Sequence, residues 1–306
     1  MRVHILGSGA GGGLPQWNCA CENCRLVRAG DASITARTQD SIALMGAVWG
    51  GAPDDERWLV VNASPDVLRQ IEGFASLWPR APRHTPIGAI ALTNGDLDHV
   101  VGLLSLRESQ PLRILATARV REGLVERNAV LRTLARTADQ VTWVTLGLHH
   151  EVVLDDLGLG VTAVPMTGKL PVHLVGLAEP SPEDNVALRV RDLASGRTAL
   201  IATALGSLDA AATALEGADA VLLDGTFWSE DELVARGLGK AHARDMAHVP
   251  VGGPGGSLAR LGALQPRRIY THINNTNPML RAGSPERAEV ERAGWEIAFD
   301  GMDFAV

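Results

Sequence analysis

The 306-residue chain is poor in aromatic residues, with one tyrosine, four phenylalanines and seven tryptophans, and it has only three cysteines. It lacks any apolar run of the ~20 residues that a membrane-spanning helix needs. It also does not open with a basic segment followed by a long apolar one, as a secreted protein would. Its net charge of −7 argues against general attraction to nucleic acid or to an anionic membrane surface. From these absences we expect a cytoplasmic protein that neither crosses a membrane nor binds nucleic acid.

What is present is the composition of a folded, loop-rich enzyme, with 46% hydrophobic residues to build a core and 33 glycines. Short apolar runs bounded by turns predict strands, such as Trp58–Val61 and IGAIALTN at 87–94. Helices are interspersed; in NASPDVLRQIEGF (62–74) we predict Ser64 as the N-cap and Pro65 as the first helical residue. Because strands and helices do not alternate strictly, one domain with two sheets covered by helices fits better than a doubly wound parallel sheet.

The segment GSGAGGGLPQWNCACENC (7–24) contains the G-x-G-x-x-G pattern of dinucleotide-binding proteins, at Gly7, Gly9 and Gly12. In those proteins a helix opens directly from the glycines, and its N-terminus carries the pyrophosphate. Here the glycines run into Leu-Pro-Gln-Trp and then into cysteines, which is not the start of a helix. We therefore predict a loop that lines the mouth of an active site.

All the cysteines of the chain, Cys19, Cys21 and Cys24, lie within six residues of one another. Three cysteines cannot all pair within the chain, and thiolates held this close repel one another unless a soft cation neutralises them. Tetrahedral zinc does so with four ligands. The sequence thus predicts a structural Zn²⁺ in an N-terminal cysteine knuckle over residues 17–25, with the fourth ligand from elsewhere in the chain or from water.

Acidic and imidazole side chains follow three of the predicted strands. Asp98 and His99 come after IGAIALTN, Asp224 ends AVLLD, and His272 follows RRIYT. The carboxyl ends of strands are where α/β proteins usually assemble their sites. Two imidazoles with up to two carboxylates suit iron, manganese or zinc. The sequence therefore predicts a divalent-metal site at these strand ends.

The pattern N-x-D-x-D-H at 94–99 resembles the H-x-H-x-D-H signature of the metallo-β-lactamase superfamily. The glycine loop, VVNASPD, LLDG and THI follow in the order that this superfamily uses. Other segments look like the family of B proteins of pyrroloquinoline quinone (PQQ) biosynthesis: GSGAGGGLPQWNCACENCR, LTNGDLDHVVGLLSLRE, DGTFW, MAHVPV and THINNTNP. The resemblance covers nearly the whole chain and implies a single α/β domain over residues 1–306, a four-layer αββα sandwich of the metallo-β-lactamase type.

The chain departs from the superfamily pattern where the first metal site should be. The first two histidines of the signature are Asn94 and Asp96 here, and no histidine stands near VPMTGK, where the third is expected. By resemblance, Asp98, His99 and His272 are the surviving ligands of the second site. A dinuclear hydrolase, which clamps its substrate between two ions, is thereby undermined. What remains approximates the two-histidine, one-carboxylate set of non-haem Fe(II) oxygenases.

The resemblance implies iron- and O₂-dependent hydroxylation of tyrosine in a small Glu–Tyr-derived PQQ precursor, with Fe²⁺ as the active-site ion and Zn²⁺ or Mn²⁺ as alternatives in isolated protein. Asp224 would be a fourth ligand or an orienting base, and His248 an acid/base or substrate contact. Lys169 and Arg244 are candidates to receive substrate carboxylates. Asn275 stands where the phosphodiesterase branch of the superfamily completes its cysteine site with a histidine, which leaves Asn275 or water as the fourth ligand.

Two other functions stay open from the sequence. One is a metal-dependent hydrolase of an ester or phosphodiester, which would need two ions at the strand ends. The other is a carrier that binds finished PQQ and delivers it towards the periplasm. The expected partners are the PQQ precursor, O₂ and other PQQ-biosynthesis proteins, and self-association into a homodimer is also open.

Overall fold

A computed structural model describes residues 1–47, 56–108, 110–135, 140–262 and 266–306 of the chain. These residues contain two mixed sheets of seven strands each. The first sheet consists of β1 (Arg2–Gly7), β2 (Ser41–Met45), β3 (Trp58–Val61), β4 (Ile87–Ala91), β5 (Leu112–Ala116), β6 (Val141–Thr145) and β14 (Asp303–Ala305). The second consists of β7 (Glu151–Leu154), β8 (Leu159–Pro165), β9 (Val186–Asp192), β10 (Thr198–Ala202), β11 (Ala220–Asp224), β12 (Arg267–Thr271) and β13 (Glu296–Ile297).

Each sheet joins an antiparallel half to a parallel half. The strand orders are β14-β1-β2-β3-β4-β5-β6 and β13-β12-β11-β10-β9-β8-β7. Pairing is antiparallel from β14 to β3 and parallel from β3 to β6. In the second sheet it is antiparallel from β7 to β10 and parallel from β10 to β13. The parallel strands therefore bring their carboxyl ends to one edge of each sheet, as the strand-end motifs require.

Helices cover the outer face of both sheets. The α-helices of the described residues are α1 (Glu22–Arg28), α2 (Val67–Gly73), α3 (Leu97–Val100), α4 (Ala118–Arg121), α5 (Leu208–Leu215), α6 (Glu232–Ala235), α7 (Ser257–Arg260) and α8 (Pro285–Arg292). Short 3₁₀ segments and a π segment, Glu122–Glu126, lie between them. None of the helices in this described part has the length and apolar character required to cross a bilayer.

Alternating side chains explain the four layers. In β3, Leu59 and Val61 pack into the cluster between the sheets, whereas Trp58 and Val60 pack under the outer helices. In β11 the residues at 220 and 222 face inward and those at 221 and 223 outward, again in period two. Inner strands such as β3 and β11 bury both faces, at about 1.5–3 kcal/mol of stabilisation per large apolar side chain, whereas β6, β7 and β14 have exposed residues. The predicted αββα sandwich is confirmed.

The helix predicted after β3 begins later than the sequence suggested. The N-cap of α2 is Asp66, and the helix starts at Val67. The Ser64 hydroxyl accepts from the backbone N–H of Asp66 at 3.2 Å and donates to Gln70 Oε1 at 3.1 Å. Ser64 thus closes a turn that includes Pro65 ahead of the helix, so the predicted cap was wrong by two residues.

Candidate metal centre

The strand-end residues meet in a cavity of about 480 Å³. Asp98 and His99 lie at the start of α3, directly after β4 and its loop, while His272 follows β12. The two sheets are joined at this edge by short bridges, Gly9 to Ile273 and Asn94 to Asn185. The fold therefore brings together side chains that are more than 170 positions apart in sequence.

Asp98, His99 and His272 form one compact group, with a ligand atom of each within 4.8 Å of the others. Asp98 Oδ2 lies 3.4 Å from His272 Nε2 and 3.7 Å from His99 Nε2. Burial alone would raise the pKa of Asp98, but the adjacent imidazoles outweigh it and hold that pKa well below its usual range. The structure thus brings together the three residues that the sequence predicts to share a metal site.

Two threonines orient the imidazoles. His99 Nδ1 lies 2.9 Å from Thr93 Oγ1, and His272 Nδ1 lies 2.9 Å from Thr226 Oγ1. Both Nδ1 atoms are thus occupied, which leaves the Nε2 atoms towards Asp98. His99 Nε2 is buried and has no hydrogen-bond partner among the described residues. An orphaned, buried nitrogen beside a carboxylate is what a divalent ion would satisfy.

The electrostatics of His272 reflect its acidic surroundings. Burial lowers its pKa, but the hydrogen bond to Asp98 and the charges of Asp40, Asp98 and Asp224 outweigh burial and raise the pKa to about 9. His272 also has a left-handed backbone with φ of 53°. A non-glycine residue in that conformation is uncommon and is found disproportionately at functional sites.

Asp224 is fully buried and already accepts four hydrogen bonds. Oδ1 accepts from the backbone N–H of Thr226 at 2.9 Å and from its hydroxyl at 2.6 Å. Oδ2 accepts from the Leu205 N–H at 2.9 Å and lies 2.6 Å from His248 Nδ1. Two oxygens offer about four lone-pair sites. Asp224, His248 and His272 lie close enough together to resemble a second group of metal ligands. Because all four lone-pair sites of Asp224 already accept hydrogen bonds, however, none is left for an ion, and Asp224 serves to orient His248.

The remaining predicted residues are divided between the cavity and its surroundings. His248 and Lys169 line the cavity, as do Ala10 and Gly11 of the glycine loop, which we predicted to lie at the mouth of an active site. Arg244 does not line it. Its guanidinium pairs with Glu230 and donates to the Gly255 carbonyl at 3.3 Å. The prediction of Arg244 as a substrate contact was therefore wrong, because a nearby carboxylate already neutralises it.

Residues that replace the missing histidines are held by the loop itself. Asn94 Oδ1 accepts from the backbone N–H of Asp96 at 2.9 Å, and its amide nitrogen donates to Asn185 Oδ1 at 3.4 Å. Asn94 thus closes an Asx turn. Asp96 lines the cavity, as Asp98 does. In the described ranges, neither Asn94 nor Asp96 belongs to a group of potential metal ligands.

The sequence did not identify the apolar wall of the cavity. Leu97, Val172, Val175 and Phe227 line it, and Val172 is 67% exposed at the rim. A signal was present in KLPVHLVGL (169–177), where apolar residues stand in a proline- and glycine-containing segment that forms no strand. Exposed apolar residues around a polar site are typical of ligand-binding surfaces.

The three cysteines also converge, and Asn275 joins them. The Asn275 amide nitrogen lies 3.2 Å from the Sγ atoms of Cys19 and Cys24 and 3.4 Å from that of Cys21. Burial is the main cause that raises the pKa of Cys21 to about 11, whereas hydrogen bonds outweigh burial at Cys19 and lower its pKa. A bound cation would therefore be needed to hold all three thiols as thiolates.

The chain is similar over its whole length to known proteins. A family model for the β-lactamase superfamily domain matches residues 57–273. Coenzyme PQQ synthesis protein B from Pseudomonas putida is 42% identical and covers 100% of both chains. The protein of the same name from Methylobacterium nodulans is 44% identical over 99% of each. A solved structure of zinc-bound PqqB from Methylobacterium extorquens matches with a TM-score of 0.89 and 39% identity over 100% of both chains.

Proposed function

The chain belongs to the coenzyme PQQ synthesis protein B family, within the β-lactamase superfamily, and from this membership we propose that it acts in PQQ biosynthesis as a metal-dependent oxygenase. Its substrate is a tyrosine within a Glu–Tyr-derived precursor, and its reaction is hydroxylation of the aromatic ring. The observation that supports this chemistry is the buried, unpartnered Nε2 of His99 beside Asp98 and His272. Such a set suits a single ion with positions left open.

Asp98, His99 and His272 fit a divalent ion of borderline softness. Two imidazole nitrogens and one carboxylate are the ligand set of non-haem Fe(II) oxygenases, and Fe(II) bound there would supply the O₂ activation that side chains lack. The zinc bound in the structure of the Methylobacterium extorquens relative supports the binding of a divalent ion by this chain. Because zinc ranks above iron in general ligand affinity, zinc in purified protein is compatible with iron as the working metal.

His248 is the proposed acid/base. Its Nδ1–H donates to Asp224 at 2.6 Å, which leaves Nε2 free in the cavity. That nitrogen can take the proton of a tyrosine phenol, and the buried Asp224 carboxylate stabilises the imidazolium that results. Phe227 packs against His248 at 5.8 Å between ring centroids and helps to exclude water from this nitrogen.

The apolar cavity wall and Lys169 suit the two ends of the proposed substrate. Leu97, Val172 and Phe227 offer apolar surface to an aromatic ring. Lys169, exposed at the rim, is placed to pair with a carboxylate of the glutamyl part. The arrangement thus orients an amphipathic acidic aromatic molecule with its ring inward.

The proposed reaction consumes two electrons in addition to O₂. One oxygen atom enters an aromatic C–H bond, which becomes C–OH, and the other leaves as water with two protons and two electrons from an added reductant such as ascorbate. The test is to load the metal-free protein anaerobically with Fe(II), add a Glu–Tyr peptide, reductant and O₂, and follow the mass of the peptide. A peptide that never gains oxygen under any metal loading would refute the proposal.

A second, structural ion is proposed at the cysteine cluster. Cys19, Cys21 and Cys24 would hold Zn²⁺ as thiolates, with the amide of Asn275 at the fourth corner. Amide oxygen and nitrogen are assigned from their surroundings, and rotation of the amide by half a turn would present its oxygen to a cation. Four ligands close the site, so this ion has a structural role.

The two alternative functions differ from the oxygenase in what they bind. A hydrolase of this superfamily would hold two ions at the strand ends, yet Asn94 is engaged within its loop and Asp224 has no free lone pair. A carrier would bind PQQ tightly and convert nothing. Metal content per chain and binding of PQQ without turnover separate the three functions.

A further inference from the structure

Beneath His99 lie two buried polar residues that the proposed chemistry does not use. Asp40 precedes β2 and is 1% exposed, and Asn62 follows β3 and is fully buried. Asn62 has a left-handed backbone with φ of 59°. Buried polar groups and strained backbone each cost free energy, so their presence next to the metal centre calls for a functional reason.

The hydrogen bonds fix which way the Asn62 amide points. The backbone N–H of Thr93 lies 3.1 Å from Asn62 Oδ1, and a backbone N–H can only donate. The amide oxygen therefore faces Thr93. The amide nitrogen faces the other way and donates to Asp40 Oδ2 at 3.1 Å. A carboxylate can only accept, so both ends of the amide are determined.

The orientation of the Asn62 amide determines which atom receives the proton of the Thr93 hydroxyl. Thr93 Oγ1 lies 3.0 Å from Asn62 Oδ1, an acceptor, and so it donates its single proton there. The same hydroxyl lies 2.9 Å from His99 Nδ1 and can only accept from it. His99 Nδ1 must therefore carry a proton. In the neutral ring this leaves the lone pair on Nε2, the buried atom that has no partner among the described residues.

We infer that Asp40, Asn62 and Thr93 are positioning residues, which fix His99 in the Nδ1–H tautomer and so present its Nε2 to the ion. The inference rests on the proposed metal centre and adds to it how one ligand is prepared. His272 Nδ1 is oriented by a different hydroxyl, that of Thr226, which is itself bonded to Asp224, so removal of the Thr93 hydroxyl leaves these contacts of His272 intact. Partners of this kind tune a metal site without touching the ion.

The test is metal affinity, measured with Co(II) and a competing chelator. Cobalt at the cysteine cluster is recognised by its sulfur-to-metal charge-transfer absorption, which cobalt bound to imidazole and carboxylate lacks. Thr93→Val removes the hydroxyl at nearly constant volume and Thr93→Ser restores it. Asn62→Gly removes the amide while tolerating the positive φ. We expect Thr93→Val and Asn62→Gly to weaken the thiolate-free cobalt site by about 10–100-fold, and Thr93→Ser to stay close to wild type.

Two measurements separate positioning from damage to the fold. In folded Asn62→Gly, cobalt binding at the cysteine cluster should stay unchanged. The metal-free variant should still unfold in one cooperative transition, at a lower temperature because the Thr93 N–H and Asp40 lose a buried partner. Equal cobalt affinity of folded Thr93→Val and Thr93→Ser would overturn the inference and leave the metal centre standing. A wild-type protein with no thiolate-free cobalt would instead overturn the proposed centre itself, and the inference with it.

Discussion

Asn275 lies three residues after His272 on the loop that follows β12, so one loop contributes to both proposed metal sites. The loop is fixed between them: Asn23 donates to the carbonyls of Asn275 and Asn277 at 2.9 Å each, and the Asn274 N–H donates to the Thr226 carbonyl at 3.1 Å. The cysteine cluster and the Asp98 group are therefore connected by a short, hydrogen-bonded loop.

Cys24→Ser tests the structural role of the cluster. Cys24 is fully buried, and serine is a far weaker zinc ligand than a thiolate. We expect one zinc per chain to be lost, and with it the stabilisation that bound zinc confers, about 2.7 kcal/mol when free zinc is 100 times the dissociation constant. Metal analysis together with thermal unfolding in the presence and absence of a chelator measures both. Retained zinc with an unchanged unfolding temperature would contradict the structural assignment.

Asn275→His should tighten zinc binding at the same cluster. The amide of Asn275 lies within 3.2–3.4 Å of all three sulfurs, where an imidazole would be a better ligand than an amide. The matched variant Asn275→Ala removes the fourth side chain and should weaken zinc. Competition with a chelator ranks the zinc affinities of the wild type, Asn275→His and Asn275→Ala. An order in which alanine binds at least as tightly as asparagine would show that water, and not Asn275, completes the site.

His248→Gln should lower turnover and leave the metal in place. General acid/base catalysis contributes about 10²–10⁴-fold, and His248 is bonded to Asp224 and not to the Asp98 group. His242→Gln is the control. His242 is exposed, does not line the cavity, and has its Nδ1 2.6 Å from Asp231 Oδ1. Steady-state kinetics and metal analysis are compared. Loss of the ion in His248→Gln would mean that His248 is a ligand.

Lys169→Met should raise KM for the acidic substrate with little change in kcat. The effect is about two- to fivefold, since an exposed ion pair is worth up to ~1 kcal/mol. Arg244→Met removes a cation that is close in sequence to the cavity-lining Met246 but is already paired with Glu230. It should leave KM unchanged. A larger effect from Arg244→Met than from Lys169→Met would show that the substrate carboxylate binds elsewhere.

Two helix-covered sheets and the candidate metal residues could be predicted from local sequence patterns, whereas the αββα type of the fold was predicted from the resemblance to the metallo-β-lactamase superfamily. Apolar runs that end in Asp98, His99, Asp224 or His272 predict strands with polar carboxyl ends, and the fold aligns those ends. The clustering of all cysteines in six residues indicated a shared site. Both signals can be recognised within short segments of the sequence.

What the sequence could not show depends on contacts distant in the chain. Arg244 looked like a free cation until Glu230, fourteen residues away, was seen to pair with it. Asp224 was predicted as a fourth ligand or an orienting base, and its four hydrogen-bond donors, one of them the Leu205 N–H, favour the second role. Asn62 and Thr93 are short polar residues at strand ends, common in any sheet protein, and only their hydrogen bonds distinguish them.

The most direct measurement of the central claim uses ¹⁸O₂. Protein loaded anaerobically with Fe(II) is given a Glu–Tyr peptide and reductant under ¹⁸O₂, and the product is examined by mass spectrometry beside His99→Ala and His272→Ala. The predicted result is one ¹⁸O atom per hydroxylation in the wild-type product and none with either variant. Oxygen derived from water, or equal conversion by the variants, would contradict the assignment of Asp98, His99 and His272 as an oxygenase centre.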